Sequence, residues 1–334
     1  MDDRALLEHL IRGPASGDAL AKAAGQTRAA VWKRIEGLRQ AGVGIAAQPG
    51  RGYALTQPLD LLDAHRIRAT LPAAVAARVG SLEVAWSIDS TNSELLRRPV
   101  DPAAGVDVLL AERQTGGRGR RGRSWASPLA AHLYLSVSRP FAGGLARLGG
   151  LSLVAGVATA EALRALGFDC VRLKWPNDVV EASAHGLRKL GGLLIEGSGE
   201  HAGPARAVIG LGLNIRMPEV AALAIDQPWC DLAGLAEHHA RAVPERNAAA
   251  AAVIAHLLPA LDLFDAEGLA PFLPRYAALD ALAGQAITLQ SDTTRQAGTA
   301  LGVAEDGALR LRLDDGREQR VHAGEVSVRR AALA

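Results

Sequence analysis

The chain has 334 residues, enough for two or three domains, and its 49% hydrophobic and 22% charged content is ordinary for a globular protein. A net charge of +2 excludes wholesale coating of nucleic acid, so any basic patch must be local. Cys170 and Cys230 lack CxxC spacing and the nine histidines lack metal-ligand spacing, which excludes a disulfide framework and a zinc site. No uninterrupted apolar run reaches about 18 residues and the N-terminus has no signal-peptide pattern, so a cytoplasmic protein without membrane contact is expected.

Leu6, Leu7, Leu10 and Ile11 fall at helical spacing, and Gly13-Pro14 ends that helix. Ser16–Ala24 reads as a second short helix with Leu20 and Ala23 inward. Thr27 is a natural N-cap for a third helix over 28–40, with Val31, Ile35 and Leu38 on one face. Its other face carries Arg28, Lys33, Arg34 and Arg39 against Glu36 alone. VGIAAQPGRGYAL then predicts two short strands around a Pro-Gly-Arg-Gly turn. Helix, helix, basic helix and hairpin make the plan of a winged helix-turn-helix, with the third helix in the major groove. Thr27, Arg28, Lys33, Arg34 and, in the wing, Arg51 are the candidate DNA contacts.

Leu59–Arg68 predicts a linking helix. A strand over 82–88 leads to Ser90-Thr91-Asn92 at a strand-to-helix junction, where a helix cap and a ligand contact are both open readings. Residues 106–115 form a strand, 130–140 another, and 147–166 an almost wholly apolar helix that must lie against a sheet. In CVRLKWPNDVV, Val171, Leu173 and Trp175 alternate with Arg172 and Lys174; Pro176 ends the strand, leaving Asn177 and Asp178 in a turn. After a polar segment at 181–188, Lys189 opens a strand. A further strand over 205–215 ends near Asn214, and 216–229 is a loop ending in Trp229. Residues 244–268 are helical. From 284 short strands and Gly/Asp turns predict a small β-barrel.

The stretch 114–127, QTGGRGRRGRSWAS, suits neither helix nor strand, because four glycines and four arginines leave no apolar face. Four like charges held together call for an anion. The planar guanidinium fork suits phosphate and carboxylate, so Arg118, Arg120, Arg121 and Arg123 read as a loop closing on such a ligand. Composition alone also allows a disordered or RNA-binding basic tract. Only four of the 37 basic residues are lysine, namely Lys22, Lys33, Lys174 and Lys189. Where lysine persists in an apolar context, as at 174 and 189, a compact ammonium is specifically required.

TRAAVWKRI, PGRGYAL, STN at 90–92, GRGRRGRSW at 117–125, KWPND at 174–178, KLGGLLIE at 189–196 and GLGLNI at 210–215 together resemble one family over nearly the whole chain: the bifunctional biotin–protein ligase and biotin-operon repressor. The resemblance implies an α+β protein with a winged helix-turn-helix over 1–62, a class II synthetase-like biotin ligase domain over 63–280 and an SH3-like barrel over 281–334. It implies that biotin and ATP-Mg2+ form biotinyl-5′-adenylate, which then biotinylates a lysine of the biotin carboxyl carrier protein of acetyl-CoA carboxylase. Ser90, Thr91, Asn92, Gln114, Arg118, Gly119, Arg120 and Lys189 would then contact biotin. Arg121, Arg123, Trp125, Lys174, Asn177, Asn214 and Trp229 would hold ATP or the adenylate. Lys189, Arg120 and Asp178 would be catalytic, Asp178 either orienting the acceptor amine or taking part in Mg2+ binding. No residue is assigned as a dedicated metal ligand. Operator DNA and a ligand-linked homodimer are the remaining expected partners. Gly116 and Gly191 stand where the family often has alanine, and the Asp178–Lys189 segment is longer than expected. A lipoate-type ligase of the same fold and a non-catalytic biotin-sensing repressor are the competing readings.

Overall fold

The computed structural model describes residues 2–99, 105–142, 144–183, 186–199, 201, 205–290, 295–322 and 327–330. Three helices open the chain: α1 (Asp3–Arg12), α2 (Gly17–Ala24) and α3 (Arg28–Gln40). Asp2, Ser16 and Thr27 cap them through side-chain oxygens that accept from the third residue onward, satisfying amides that helix geometry leaves unpaired. Leu6, Leu7, Leu10, Leu20, Ala21, Val31, Ile35 and Leu38 close a small core. Ala21 rather than Ala23 is the second inward residue of α2. The antiparallel wing pairs β1 (Ile45–Gln48) with β2 (Gly52–Leu55), as the turn chemistry predicts.

The linking helix is shorter than expected. Asp63 caps α4 (Ala64–Thr70), and residues 59–63 run outside any helix. The reason lies elsewhere in the chain, because distant side chains claim the backbone here. Arg246 donates to the Asp60 carbonyl (2.8 Å), Asn247 donates to that of Leu61 (2.9 Å), and Glu112 accepts from Leu62 N–H (2.6 Å).

After α5 (Ala73–Ala76) the central sheet begins with β3 (Val79–Ala85), displaced from the expected 82–88, although Ile88 still bridges to Gln114. Helix α6 (Thr91–Arg97), β4 (Val106–Ala111), β5 (Leu133–Phe141) and α7 (Leu151–Ala165) follow. Then come β6 (Val171–Lys174), β7 (Asp178–Ser183), β8 (Gly186–Gly199) and β9 (Ala205–Leu213). The seven strands lie in the order β3-β4-β5-β9-β8-β7-β6, with β3 and β4 parallel and every other neighbour antiparallel. The polar segment 181–188 is therefore mostly strand. β7 and β8 form a hairpin that slips by one residue at Leu190 and then pairs as far as Ser183 opposite Gly186, and Glu181 pairs across it with Arg188 (2.9 Å). The segment is built from these two strands, while positions 184–185 lie outside the described residues.

Past β9 the expected loop at 216–229 contains one turn of helix, α8 (Glu219–Ala222). Helix α9 (Leu232–His238) was not foreseen, and it leads to α10 (Arg246–Glu267) and α11 (Leu273–Leu279). By length and composition α10 is apolar enough to cross a membrane. It instead packs Val253, Leu257, Leu261 and Phe264 into the core with α7, against one face of the sheet. The opposite face carries α6, so β4 is buried on both sides, with Val108 and Leu110 in the main core and Leu109 under Leu95. Strands β10 (Ala286–Gln290), β11 (Arg295–Val303), β12 (Leu309–Arg312), β13 (Glu318–Val321) and β14 (Ser327–Arg330) form one antiparallel sheet in the order β13-β12-β11-β10-β14. Of the predicted barrel, 291–294, 323–326 and 331–334 lie outside the described residues. Trp175 Nε1–H donates to Gly307 O (3.0 Å) and ties this sheet to the central one.

Candidate active site

The α6 side of the sheet is where chemistry-bearing residues converge. Strand β9 alternates strictly. Ala207, Ile209, Leu211 and Leu213 enter the core, while Val208, Gly210 and Gly212 face the other way. A side chain at Gly210 would collide with the Asn92 amide, and one at Gly212 with the Trp125 indole. Glycines in a strand interior mark close approach of another group, and here they let Asn92 and Trp125 lie directly on the sheet.

Gln114, Arg118, Gly119, Arg120, Arg121, Arg123 and Trp125 line one cleft together with Ser90, Thr91, Asn92, Lys174, Asn177, Asp178 and Lys189. Asn214 and Trp229 line an adjoining cavity that shares Arg121, Arg123, Trp125 and Lys189 with the first. The glycine–arginine stretch is a hairpin with Trp125 N–H on Gly117 O (2.9 Å) and Gly119 N–H on Arg123 O (2.7 Å). Its tip needs left-handed backbone at Arg121 and Gly122. The four arginines thereby line a cleft whose one carboxylate among the described lining residues is Asp178.

Asp178 sits between two ammonium groups, Lys189 Nζ at 2.6 Å and Lys174 Nζ at 3.5 Å. Burial acts to raise its pKa, but the two lysines outweigh burial and hold it below the usual carboxylate range. Burial also lowers the Arg120 guanidinium, with Asp178 opposing this and Arg121 and Arg123 reinforcing it. Lys189 is the best-positioned cation. Its backbone is bracketed by Pro228 O and Cys230 N–H, both at 2.9 Å, and its ammonium lies 5.4 Å from the Trp125 ring centroid. Asn214 closes the same seam by donating to Cys230 O (3.0 Å), and Asn177 is fixed to β8 by donating to Leu193 O (2.7 Å). Trp125 and Trp229 are half-buried at the cleft and its adjoining cavity.

Ser90 caps α6 through Ser93 N–H and also lines the cleft. A polar chain runs beneath. Arg118 donates to Glu196 (2.7 Å) and Asn92 donates to the same carboxylate oxygen (2.9 Å). Ser136 bonds Asn92 Oδ1 (2.6 Å) and Thr91 Oγ1 (2.7 Å). Gln114 Oε1 accepts from Thr91 N–H (2.9 Å), and Gln114 Nε2 donates to Ser127 (3.3 Å). The chain starts and ends on the arginine hairpin and passes through the cleft floor. Glu196, Ser136, Gly210 and Gly212 were not singled out from sequence. The period-two glycines of GLGL were the available signal for the last two, but nothing local marks Glu196 or Ser136.

Of the DNA-contact candidates, Thr27 caps α3, while Arg28, Lys33 and Arg51 are exposed. Arg34 is placed differently. It is half-buried, with its guanidinium donating to Asp3 (2.6 Å) and Gln26 (3.3 Å), so it braces α3 against α1.

Comparison with known proteins identifies the family. Residues 84–214 match the Biotin/lipoate A/B protein ligase family, 283–329 the Biotin protein ligase C terminal domain, and 4–54 an HTH domain. The chain is 41% identical to the bifunctional ligase/repressor BirA of Salmonella typhimurium over 95% of its own length and 93% of that protein. Identity and coverage are the same for BirA of Escherichia coli. The biotin protein ligase from Aquifex aeolicus, solved with biotin and ATP, superposes with a TM-score of 0.60 at 25% identity, covering 75% of this chain and 98% of that one. Fold and site thus define a biotin–protein ligase, a class that uses biotin and ATP. The chain belongs to the bifunctional ligase/repressor family, in which that enzyme carries an N-terminal helix-turn-helix.

Proposed function

We propose that the cleft joins biotin to ATP as biotinyl-5′-adenylate and passes the biotinyl group to a lysine of the biotin carboxyl carrier protein of acetyl-CoA carboxylase. The observation that carries this reading is the Lys174–Asp178–Lys189 cluster facing four arginines across one cleft. In the first step a carboxylate oxygen attacks the α-phosphorus and pyrophosphate leaves. Two anions approach, so fixed cations must hold the charge that concentrates between them. Lys189, Arg120, Arg121 and Arg123 are assigned that task, with Lys174 and Asn177 beside them and Trp125, Asn214 and Trp229 about the nucleotide. Ser90, Thr91, Asn92, Gln114, Arg118 and Gly119 are assigned to biotin. In the second step the acceptor amine attacks the acyl carbon and AMP leaves. A carboxylate held at low pKa is a weak proton acceptor, which favours Asp178 as the group that orients the incoming amine. Among the described residues no cluster of three potential ligands could hold a metal ion. Mg2+ is assigned to enter with the ATP phosphates, the usual way that ion is held.

Incubation with ATP, biotin and carrier protein, with lipoate as competitor, tests the reading. Biotinylated carrier and released pyrophosphate are expected, and preference for lipoate or absence of transfer would overturn it. Arg120→Gly should form adenylate yet lose it faster, because Arg120 is the half-buried arginine of the hairpin and donates to Asn177 (3.4 Å). The check is the adenylate dissociation rate together with labelling of a bystander protein, and unchanged retention would count against the hairpin as a clamp.

The working division is 1–62 for DNA, 63–280 for catalysis and 281–334 for the C-terminal sheet, in a cytoplasmic protein. Operator binding is assigned to Thr27, Arg28, Lys33, Arg34 and Arg51, with Arg34 acting through its brace on Asp3. Arg28→Ala with Arg51→Ala should weaken operator binding and flatten its salt dependence by about one unit of slope per lost phosphate contact; an unchanged slope would remove them from the interface. Helix-turn-helix proteins bind half-sites as symmetric dimers, and a ligand-linked homodimer is proposed here. Sedimentation with and without biotinyl-adenylate should show the mass rise.

A further inference from the structure

Among the described residues four large apolar side chains are exposed. Two of them, Val220 and Leu223, belong to the 216–229 segment beside the ligase cleft. Trp32, exposed to 57%, stands instead on α3. The inward face of that helix is Val31, Ile35 and Leu38. Its exposed N-terminal half is Arg28, Ala29, Trp32 and Lys33, two pairs at helical i,i+4 spacing. Ala29 and Trp32 thus make an apolar strip between two cations, and Arg51 is exposed at the wing. Arg34, the remaining cation of this half, is turned away to Asp3.

Lys33, Arg51 and Arg28, the last beside its partner Asp18 (3.2 Å), are groups that phosphates would use; an indole is not. It has no charge to set against phosphate and only one N–H to donate, and most of its large area is apolar and left in water. The N-terminal half of a recognition helix is the part that reaches base edges. In the major groove the apolar group presented there is the thymine 5-methyl.

We propose that Trp32 reads sequence, its indole packing against thymine methyl groups in the major groove, so that A·T pairs are preferred beneath the first half of α3. This rests on the DNA-binding reading of the N-terminal domain. It is tested with the full-length protein, biotin and ATP by selecting duplexes from a randomised pool and then replacing each thymine of the selected duplex by deoxyuridine, which lacks only that methyl. Wild-type protein should lose about fourfold in affinity at one or more thymines, the worth of one methyl-sized group removed from water. Trp32→Ala, with an unchanged melting temperature, should bind the parent duplex more weakly and show no further loss with deoxyuridine. Lys33→Ala should bind more weakly yet keep the fourfold loss. A deoxyuridine penalty that persists in Trp32→Ala, or thymines insensitive in the wild type, would overturn the assignment while leaving DNA binding intact. Selection of no duplex at all would overturn both.

Discussion

Lys189→Ala should slow adenylate formation by about 10²–10³-fold, the usual cost of removing one preorganised donor from developing charge in a water-poor site. Two features of the structure raise the expectation above that of an ordinary surface lysine. Its backbone is pinned on both sides by residues 228 and 230, so the ammonium is delivered from a fixed origin. It is also the nearer of the two cations that neutralise Asp178, at 2.6 Å against 3.5 Å for Lys174. Without it the carboxylate keeps the longer contact to Lys174 and the field of Arg120 but loses its nearest counter-charge, and it repels the approaching phosphates more strongly. Two losses then act in one direction. Pyrophosphate release in a single turnover is the measurement. Lys189→Arg should recover charge but not position, because the planar fork does not fit where a point charge stood. Adenylate formed at the wild-type rate by Lys189→Ala would assign the residue a structural role only.

The second large effect concerns stability. Arg246 and Glu112 are 2% and 0% exposed at the side chain and pair at 2.7 Å. Their remaining hydrogen-bonding capacity is used on distant backbone. Arg246 also donates to the carbonyls of Asp60 (2.8 Å) and His132 (2.8 and 3.1 Å), and Glu112 accepts from Leu62 N–H (2.6 Å). His132 in turn accepts from Ile215 N–H through Nδ1 (3.1 Å), and burial together with the Arg246 charge pushes its pKa down to about 3, so it is neutral here. One ion pair thus holds the connection between the helix-turn-helix and the ligase domain, the start of β5 and the start of the 216–229 segment. Removing one member leaves an uncompensated charge in the core. Glu112→Ala should therefore lower unfolding stability by about 3–5 kcal/mol. Glu112→Leu with Arg246→Met buries no lone charge and should recover part of that loss. Urea denaturation of all three proteins checks this, and a Glu112→Ala midpoint equal to wild type would show that the pair is not what secures the linker.

The helix-turn-helix was legible because its signals are local. Caps, apolar spacing and a glycine turn fall within about 50 residues, and no distant group overrides them. The place of Lys189 in the cleft is signalled by a compositional contrast, a lysine in a chain that otherwise writes arginine. The linker helix was overestimated for the opposite reason. Asp60, Leu61 and Leu62 have helix-compatible side chains, but their backbone groups are occupied by Arg246, Asn247 and Glu112. Glu196 escaped notice because its partners Arg118 and Asn92 lie 78 and 104 residues away. A glutamate at the end of an apolar strand carries no local sign that it will meet an arginine hairpin.

By itself the sequence determined which segments are helix or strand in the N-terminal domain, that the glycine–arginine stretch is a loop between strands, and that Asp178 and Lys189 stand among polar groups near strand ends. These follow from periodicity, turn chemistry and charge, which act over a few residues. Only the tertiary structure decided that Asp178 stands between two lysines, that Arg34 braces α1 while Arg28 and Trp32 face outward, and that glycines 210 and 212 make room for Asn92 and Trp125. Those outcomes depend on which side chains the sheet register and helix packing bring within a few ångströms, and no local pattern specifies a partner a hundred residues away.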